Sequence, residues 1–162
     1  MKKLKTLFIL SLVFFVFYGC ISNDKAENKV DKIEHSAEYK NVELAILDYV
    51  EGLYLVDSTR IDKSVDTKLR KIGYWYNADE KGYRDHLEMT HKQLSNLAAS
   101  WNTSGDRANE ESPKIIEIFD INSKTASAKL TAEWGIDLFH LAKVHNQWKI
   151  VNVMWQSQPE KE

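Results

Sequence analysis

Four segments near the C-terminal end of this chain are rich in β-branched and aromatic residues, and they constrain its fold more than any other feature. They are Ile115–Ile121, Ala126–Trp134, Ile136–Val144 and Trp148–Trp155. Turn residues join them at Asp120–Ser123, Gly135 and His145–Gln147. Connections this short can only join antiparallel neighbours, because a parallel crossover needs a dozen or more residues. The sequence therefore predicts a four-stranded antiparallel meander.

Helical periodicity dominates the residues before the meander. A first helix is predicted after Asn41, its N-cap, because apolar residues recur there at three- and four-residue steps: Val42, Ile46, Tyr49, Val50, Leu53 and Val56. A second, short helix is predicted from the capping-box pattern Thr59–Asp62. A third is predicted from the same pattern at Thr90–Gln93, followed by Leu94, Leu97, Ala98 and Trp101.

Between the second and third helices, the sequence predicts a β-hairpin. Its strands are Thr67–Asn77 and Tyr83–Met89, and its turn is Asp79–Gly82. Together with the meander this gives six strands. Helices segregated from a series of antiparallel strands predict an α+β fold, with three helices packed on one face of a curved, mostly antiparallel sheet.

The first twenty residues have a different character. Three lysines, Lys2, Lys3 and Lys5, precede the apolar run Leu7–Tyr18, which ends at Gly19-Cys20. The run is shorter than the roughly 20 residues of a membrane-spanning helix and is typical of a signal peptide. Cys20 is the only cysteine of the 162 residues and lies where a bacterial lipoprotein is cleaved and acylated. Ordinary secretion with cleavage nearby remains the alternative.

These features divide the chain into a signal peptide (1–19), a lipid anchor with a flexible tether (20–40), a folded domain (41–156) and a solvated tail (157–162). Nine of the twenty residues in Ile21–Lys40 are charged, which is too polar to form a core. Cleavage before Cys20 would remove three lysines and change the net charge from −2 to −5. Attachment to the bilayer would then depend on acyl chains at Cys20 rather than on charge, and would place the protein in the bacterial cell envelope.

The domain also carries segments that resemble a known family: Asp48–Tyr54, Asp57, Asp66–Lys71, Asp137–Val144 and Trp148–Trp155. They are similar to the family described as "Putative lumazine-binding". That family belongs to the nuclear transport factor 2-like superfamily, which also includes SnoaL-like cyclases and ketosteroid isomerase. The resemblance implies a cone-shaped sheet with an apolar pocket between sheet and helices, often dimerising through the sheet. It implies little about chemistry, because this fold carries many activities.

Five residues are candidates for contact with a ligand in such a pocket: Tyr54, Asp57, Asp137, His140 and Trp155. Asp137 and His140 are also the candidates for a general base, because burial moves the pKa of such groups towards neutrality. They are three positions apart on one predicted strand, so their side chains face opposite sides of the sheet. The sequence leaves open which side holds the pocket.

Each polar candidate has a structural alternative. His140 could be a hydrogen-bonded core or interface histidine, Asp57 a helix cap, and Asp137 part of a turn at the strand end. The aromatic residues are expected mostly in the core and interfaces, with some of them lining the pocket.

Several classes of function are excluded by the sequence. The net charge of −2 gives no basic face for nucleic acid. His86 and His91, like His140 and His145, are five positions apart and do not form the i, i+4 zinc pair, so no metal is expected. No phosphate-binding glycine motif or nucleophile motif is present, and no cofactor is expected.

The sequence thus predicts a membrane-tethered lipoprotein whose domain holds a small apolar or aromatic ligand without converting it. A homodimer is the expected assembly. One alternative is a cofactor-free isomerase, cyclase or dehydratase with Asp137 or His140 as general base. Another is a protein-interaction module that uses the sheet face.

Overall fold

The computed structural model describes residues 37–158, which form three helices and six strands. In chain order these are α1 (Ala37–Tyr54), α2 (Ser58–Ser64), β1 (Val65–Asn77), β2 (Gly82–Met89), α3 (His91–Ala98), β3 (Ile115–Ile121), β4 (Thr125–Ala132), β5 (Gly135–Val144) and β6 (Gln147–Ser157). None of the helices in this range is long and apolar enough to cross a membrane. The predicted signal peptide, Cys20 and most of the tether lie outside the described residues.

The six strands form one curved sheet in the order β2-β1-β6-β5-β4-β3. All neighbours are antiparallel except β1 and β6, which are parallel. The predicted meander β3-β4-β5-β6 and the predicted hairpin β1-β2 are both confirmed, and the parallel β1-β6 contact joins them. The fold is therefore α+β with a mixed sheet.

Helix α1 supplies most of the helical side of the core. Val42, Ile46, Tyr49 and Val50 are fully buried, at the spacing that the sequence predicts for one helix face. From the sheet, Leu130 of β4, Phe139 and Leu141 of β5, and Ile150 of β6 join them in a single apolar cluster. Each such side chain contributes about 1.5–3 kcal/mol on burial, which fixes α1 against the sheet.

Two predicted helix starts are wrong. Asn41 lies inside α1, which begins at Ala37, because the Glu38 carboxylate accepts hydrogen bonds from Lys143 Nζ and Trp148 Nε1, each at 2.7 Å. The last four residues of the predicted tether thus belong to the folded unit. Helix α2 is capped by Asp57 rather than by Thr59, because Asp57 Oδ1 accepts the Thr59 backbone N–H at 3.0 Å. The capping box of Thr90 and Gln93 is confirmed at the start of α3.

The predicted tail begins too early. Ser157 is only 5% exposed and is the last residue of β6. Its hydroxyl accepts the Tyr76 backbone N–H at 2.7 Å, and its carbonyl accepts the Tyr83 hydroxyl at 3.2 Å. Both partners belong to the β1-β2 hairpin, so the end of β6 is held by strands from the other half of the sheet.

Gly135 opens β5 with a φ of 136°, a backbone conformation that side chains rarely adopt. A Cβ at this position would lie 2.2 Å from the carbonyl oxygen of Gln156. The close approach of β5 to β6 at this point therefore requires glycine.

We expect Gly135→Ala to lower the free energy of unfolding by at least about 1–3 kcal/mol, since it combines backbone strain with a clash against main-chain atoms. Urea denaturation monitored by circular dichroism measures this loss. Gly82→Ala is the matched control, because its Cβ would meet nothing closer than 3.7 Å and no left-handed φ is required there. Equal stability of the two variants would contradict the argument.

Candidate functional site

A cavity of about 240 Å³ lies between the sheet and the helices. This volume is slightly below the roughly 300–1,000 Å³ of typical ligand sites, so the cavity suits a molecule with a single ring or two fused rings. Its lining is mostly apolar and aromatic, with residues from α1, β1, β2, α3, β6 and the connections between elements: Tyr49, Leu53, Lys71, Trp75, Met89, Leu94, Leu97, Trp101, Arg107, Trp134 and Trp155.

A buried ion pair lies at one side of the cavity. Lys71 of β1 places its Nζ 3.0 Å from Asp137 Oδ1 of β5. The two side chains are only 6% and 0% exposed. Because β6 lies between β1 and β5, the Lys71 side chain crosses a whole strand to reach its partner.

Two further groups complete the hydrogen bonding of this pair. Tyr49 Oη accepts a hydrogen bond from Lys71 Nζ at 2.7 Å and lies 3.5 Å from Asp137 Oδ1, to which it donates. Trp134 Nε1 donates to Asp137 Oδ2 at 2.7 Å. Both carboxylate oxygens of Asp137 are therefore engaged. We call Tyr49, Lys71, Trp134 and Asp137 the ion-pair cluster.

Burial shifts the pKa values within the ion-pair cluster. Burial lowers the pKa of Lys71, while the Asp137 charge opposes that change. Burial, and then the Asp137 charge, raise the pKa of Tyr49 well above its ordinary value. Tyr49 is thus a neutral phenol at physiological pH and can both accept from the ammonium and donate to the carboxylate.

Four of the five tryptophans of the chain line the cavity: Trp75, Trp101, Trp134 and Trp155. The Trp101 and Trp134 rings meet edge to face, with their centroids 5.4 Å apart. Trp155 lies directly over Gly73, where a Cβ would come within 1.7 Å of the indole nitrogen. Lys71 Nζ lies 5.2 Å from the centre of the Trp155 ring, a cation–π contact.

The five residues predicted to contact a ligand have different places in this geometry. Trp155 lines the cavity. Asp137 lies behind the lining, where it pairs with Lys71. Tyr54 stacks on Trp101 and meets Trp134 edge to face, so it supports two walls of the cavity. Its hydroxyl donates to the Pro113 carbonyl and accepts the Glu133 N–H, each at 2.8 Å, and burial raises the pKa of Tyr54 to about 12.

Two of the predicted residues lie away from the cavity. Asp57 is the N-cap of α2. His140 is exposed on the other face of the sheet, with Nδ1 3.3 Å from the Asn152 amide nitrogen. Asp137 and His140 do face opposite sides of the sheet, as their spacing predicts, and the side facing the helices is the one with the cavity.

Lys71 and Arg107 also line the cavity, although neither was predicted as a site residue. A signal for Lys71 was available, because it alternates along β1 with Leu69, Gly73 and Trp75 and thus shares their face. A lysine on an otherwise apolar strand face indicates a buried cation with a partner. Arg107 lies in the long connection after α3, where no periodicity marks it.

The described residues contain no arrangement for a metal ion. Between residues 37 and 158, no three or more His, Cys, Asp or Glu side chains are grouped to hold one. The polar side-chain groups of the cavity lining are cationic groups, a phenol and indole N–H groups, so the site can donate hydrogen bonds and offer aromatic faces for stacking.

Comparison with solved structures shows the same fold. An NTF2-like protein of unknown function from Shewanella baltica matches with a TM-score of 0.58 and 21% identity, over 76% of this chain and 95% of its own. An NTF2-like protein with a cystatin-like fold from Novosphingobium aromaticivorans matches with a TM-score of 0.53 and 8% identity, over 88% and 94%. One from Silicibacter pomeroyi matches with a TM-score of 0.50 and 15% identity, over 80% and 95%. No curated protein matches the sequence.

The model of the family described as "Putative lumazine-binding" matches residues 37–156, which is most of the chain. The match includes all three helices of the described residues and nearly all of β6. The chain therefore belongs to this family and has its nuclear transport factor 2-like α+β fold.

Proposed function

We propose that this domain binds a small, flat, mainly apolar ligand between the cone-shaped sheet and the helices, without converting it. The observation that carries the proposal is the cavity of about 240 Å³ with tryptophans on several sides. Aromatic rings stack favourably on flat ring systems, and their large area supplies most of the binding energy of such sites. The family description, which names lumazine, a fused bicyclic compound, supports a ligand of this shape.

The placement of the candidate bases argues against catalysis. Asp137 is fully buried behind the lining, and both its oxygens already accept hydrogen bonds. His140 is on the opposite face of the sheet. A general base must come within hydrogen-bond reach of the proton that it removes. Neither Asp137 nor His140, the two bases named for the isomerase, cyclase or dehydratase alternative, is among the residues that line the cavity.

The proposal also includes the membrane anchor. Sixteen residues, 21–36, separate Cys20 from Ala37, the first described residue of α1. Fully extended, they could span at most about 55 Å, enough to hold the domain clear of lipid headgroups. An acylated Cys20 would then present the cavity to the aqueous side of the bacterial cell envelope.

A second copy of the chain is the partner proposed for the outer sheet face. Leu138 and Met154 are opposite each other on β5 and β6 and are 44% and 51% exposed. If the domain is instead a protein-interaction module, a different protein would cover the same surface. The number and identity of the chains in the native particle distinguish a homodimer from such a complex.

Calorimetric titration tests ligand binding directly. The full-length protein in neutral-detergent micelles is titrated with lumazine and, separately, with 2-naphthamide. We expect Leu97→Trp, which adds volume inside the cavity, to weaken binding of both probes at least about tenfold. Leu44→Trp is the matched control, because Leu44 is 56% exposed on α1 and outside the lining. Absence of binding to the unsubstituted protein, or equal effects of both variants, would overturn the proposal.

The structural role of the ion-pair cluster predicts a specific pattern of stability. Lys71→Met should lower the free energy of unfolding by about 3–5 kcal/mol, since it leaves Asp137 buried without a cation. The double variant Lys71→Met/Asp137→Leu should recover most of this loss, because no buried charge remains. Urea denaturation at pH 7 measures both.

Lys129→Met is the control for this comparison, because its ion pair with Glu117 is partly exposed, at 28% and 50%. We expect it to cost no more than about 1 kcal/mol. A loss for Lys71→Met no larger than that of the control would contradict a structural role for the pair.

The membrane anchor and the dimer can be tested together by native mass spectrometry of protein extracted from the host membrane. We expect a dimer whose chains begin at Cys20 and carry acyl mass. Cys20→Ala should remove that mass and release the protein from the membrane fraction. Retention of residues 1–19 would refute cleavage before Cys20, and an unmodified thiol would refute acylation. A monomeric particle would refute the dimer.

A further inference from the structure

Arg107 lies at the cavity, and the buried side chain of Asn102 holds the segment that carries it. Asn102 is 7% exposed, and its Oδ1 accepts the backbone N–H groups of Arg107 at 3.0 Å and Ala108 at 3.2 Å. Its amide nitrogen donates to the carbonyls of Tyr54 at 2.8 Å and Ala108 at 2.9 Å. The Arg107 backbone is therefore fixed to the end of α1 and does not depend on a ligand for its position.

The Arg107 side chain also has a defined location. Its guanidinium carbon lies 5.8 Å from the centre of the Trp101 ring, and both residues line the cavity. This cation–π contact directs the guanidinium along a wall against which the flat ligand of the proposed function would stack.

Arg107 carries the positive charge on the described cavity lining that no nearby carboxylate neutralises. The lining contains two cations, Lys71 and Arg107, and no carboxylate. Lys71 is neutralised by Asp137 at 3.0 Å. Arg107 has no carboxylate oxygen within 4.0 Å in residues 37–158, and the neighbouring Asp106 accepts the Ser104 hydroxyl instead. The only uncompensated charge on the described lining is thus a guanidinium.

We infer that the ligand is an aromatic monoanion, with its ring among the tryptophans and a carboxylate on Arg107. This inference rests on the proposed function and specifies the class of ligand. The planar guanidinium donates two parallel hydrogen bonds to a carboxylate, a geometry that a lysine cannot reproduce. Arg107 is exposed, so its guanidinium would meet the carboxylate at the solvent side of the cavity while the ring lies among the tryptophans.

The competing explanation is that Arg107 is a solvated side chain which only covers the Trp101 ring. Such a residue would support the wall equally well for charged and neutral ligands. A matched pair of probes that differ only in the charged group separates the two explanations, namely 2-naphthoate and 2-naphthamide.

Calorimetric titration of the full-length protein in neutral-detergent micelles, with binding to empty micelles subtracted, is the test. We expect 2-naphthoate to bind about tenfold more tightly than 2-naphthamide, the size of effect expected for a charge-assisted hydrogen bond. Arg107→Gln should reduce this ratio to near one, and Arg107→Lys should retain part of it. Sodium acetate, an anion without a ring, should not bind at millimolar concentration.

Arg84→Gln is the control, since Arg84 is 60% exposed on β2, outside the lining, and should leave the ratio unchanged. Equal affinities of the two probes for the unsubstituted protein would overturn the inference while leaving the proposed function intact. A ratio that persists in Arg107→Gln would overturn the role of Arg107, and acetate binding as tight as that of 2-naphthoate would indicate a general anion site instead. Binding of neither probe would overturn the proposed function itself, and with it this inference.

Discussion

The buried pair of Lys71 and Asp137 is the interaction on which the rest of the structure depends. It joins β1 to β5 across β6, and through Tyr49 and Trp134 it also reaches α1 and the β4-β5 turn. Two strand spacings separate β1 from β5 by roughly 9.6 Å, which only a long side chain can cross. An unpaired charge at this depth would cost several kcal/mol, so the sheet, α1 and the turn must come together for either residue to be tolerated.

The same pair decides the electrostatic character of the cavity. An ammonium and a carboxylate 3.0 Å apart leave almost no net charge beside the cavity, and Tyr49 stays neutral because burial raises its pKa. The ion-pair cluster therefore places polar groups beside the cavity with little net charge. Arg107 alone contributes an unpaired charge, from a segment anchored by Asn102. Arg107 shares the connection after α3 with Trp101, whereas Trp75, Trp134 and Trp155 come from β1, the β4-β5 turn and β6.

Much of the fold could be predicted because it is governed by local rules. Alternation along β5 placed Asp137 with Phe139 and His140 with Leu138, and the Thr90 capping box marked the start of α3. The parallel contact of β1 with β6 was not predicted, because it joins residues about 80 positions apart and leaves no periodic signal. For the same reason the pairing of Lys71 with Asp137 was missed. The start of α1 was misplaced because Glu38 is held by Lys143 and Trp148, which are distant in sequence.

Strand β1 links the cavity wall to the buried ion pair through the alternation of its side chains. Lys71, Gly73 and Trp75 share one face of β1 at two-residue steps and contribute the cation, a gap and an aromatic wall. The gap at Gly73 is filled by the Trp155 indole from β6, which any Cβ would displace. Displacing Trp155 would also remove the ring that lies 5.2 Å from Lys71 Nζ. Because Gly73 has no side chain, the Trp155 ring can lie against β1 and beside Lys71, and this position therefore couples the cavity wall to the buried ion pair.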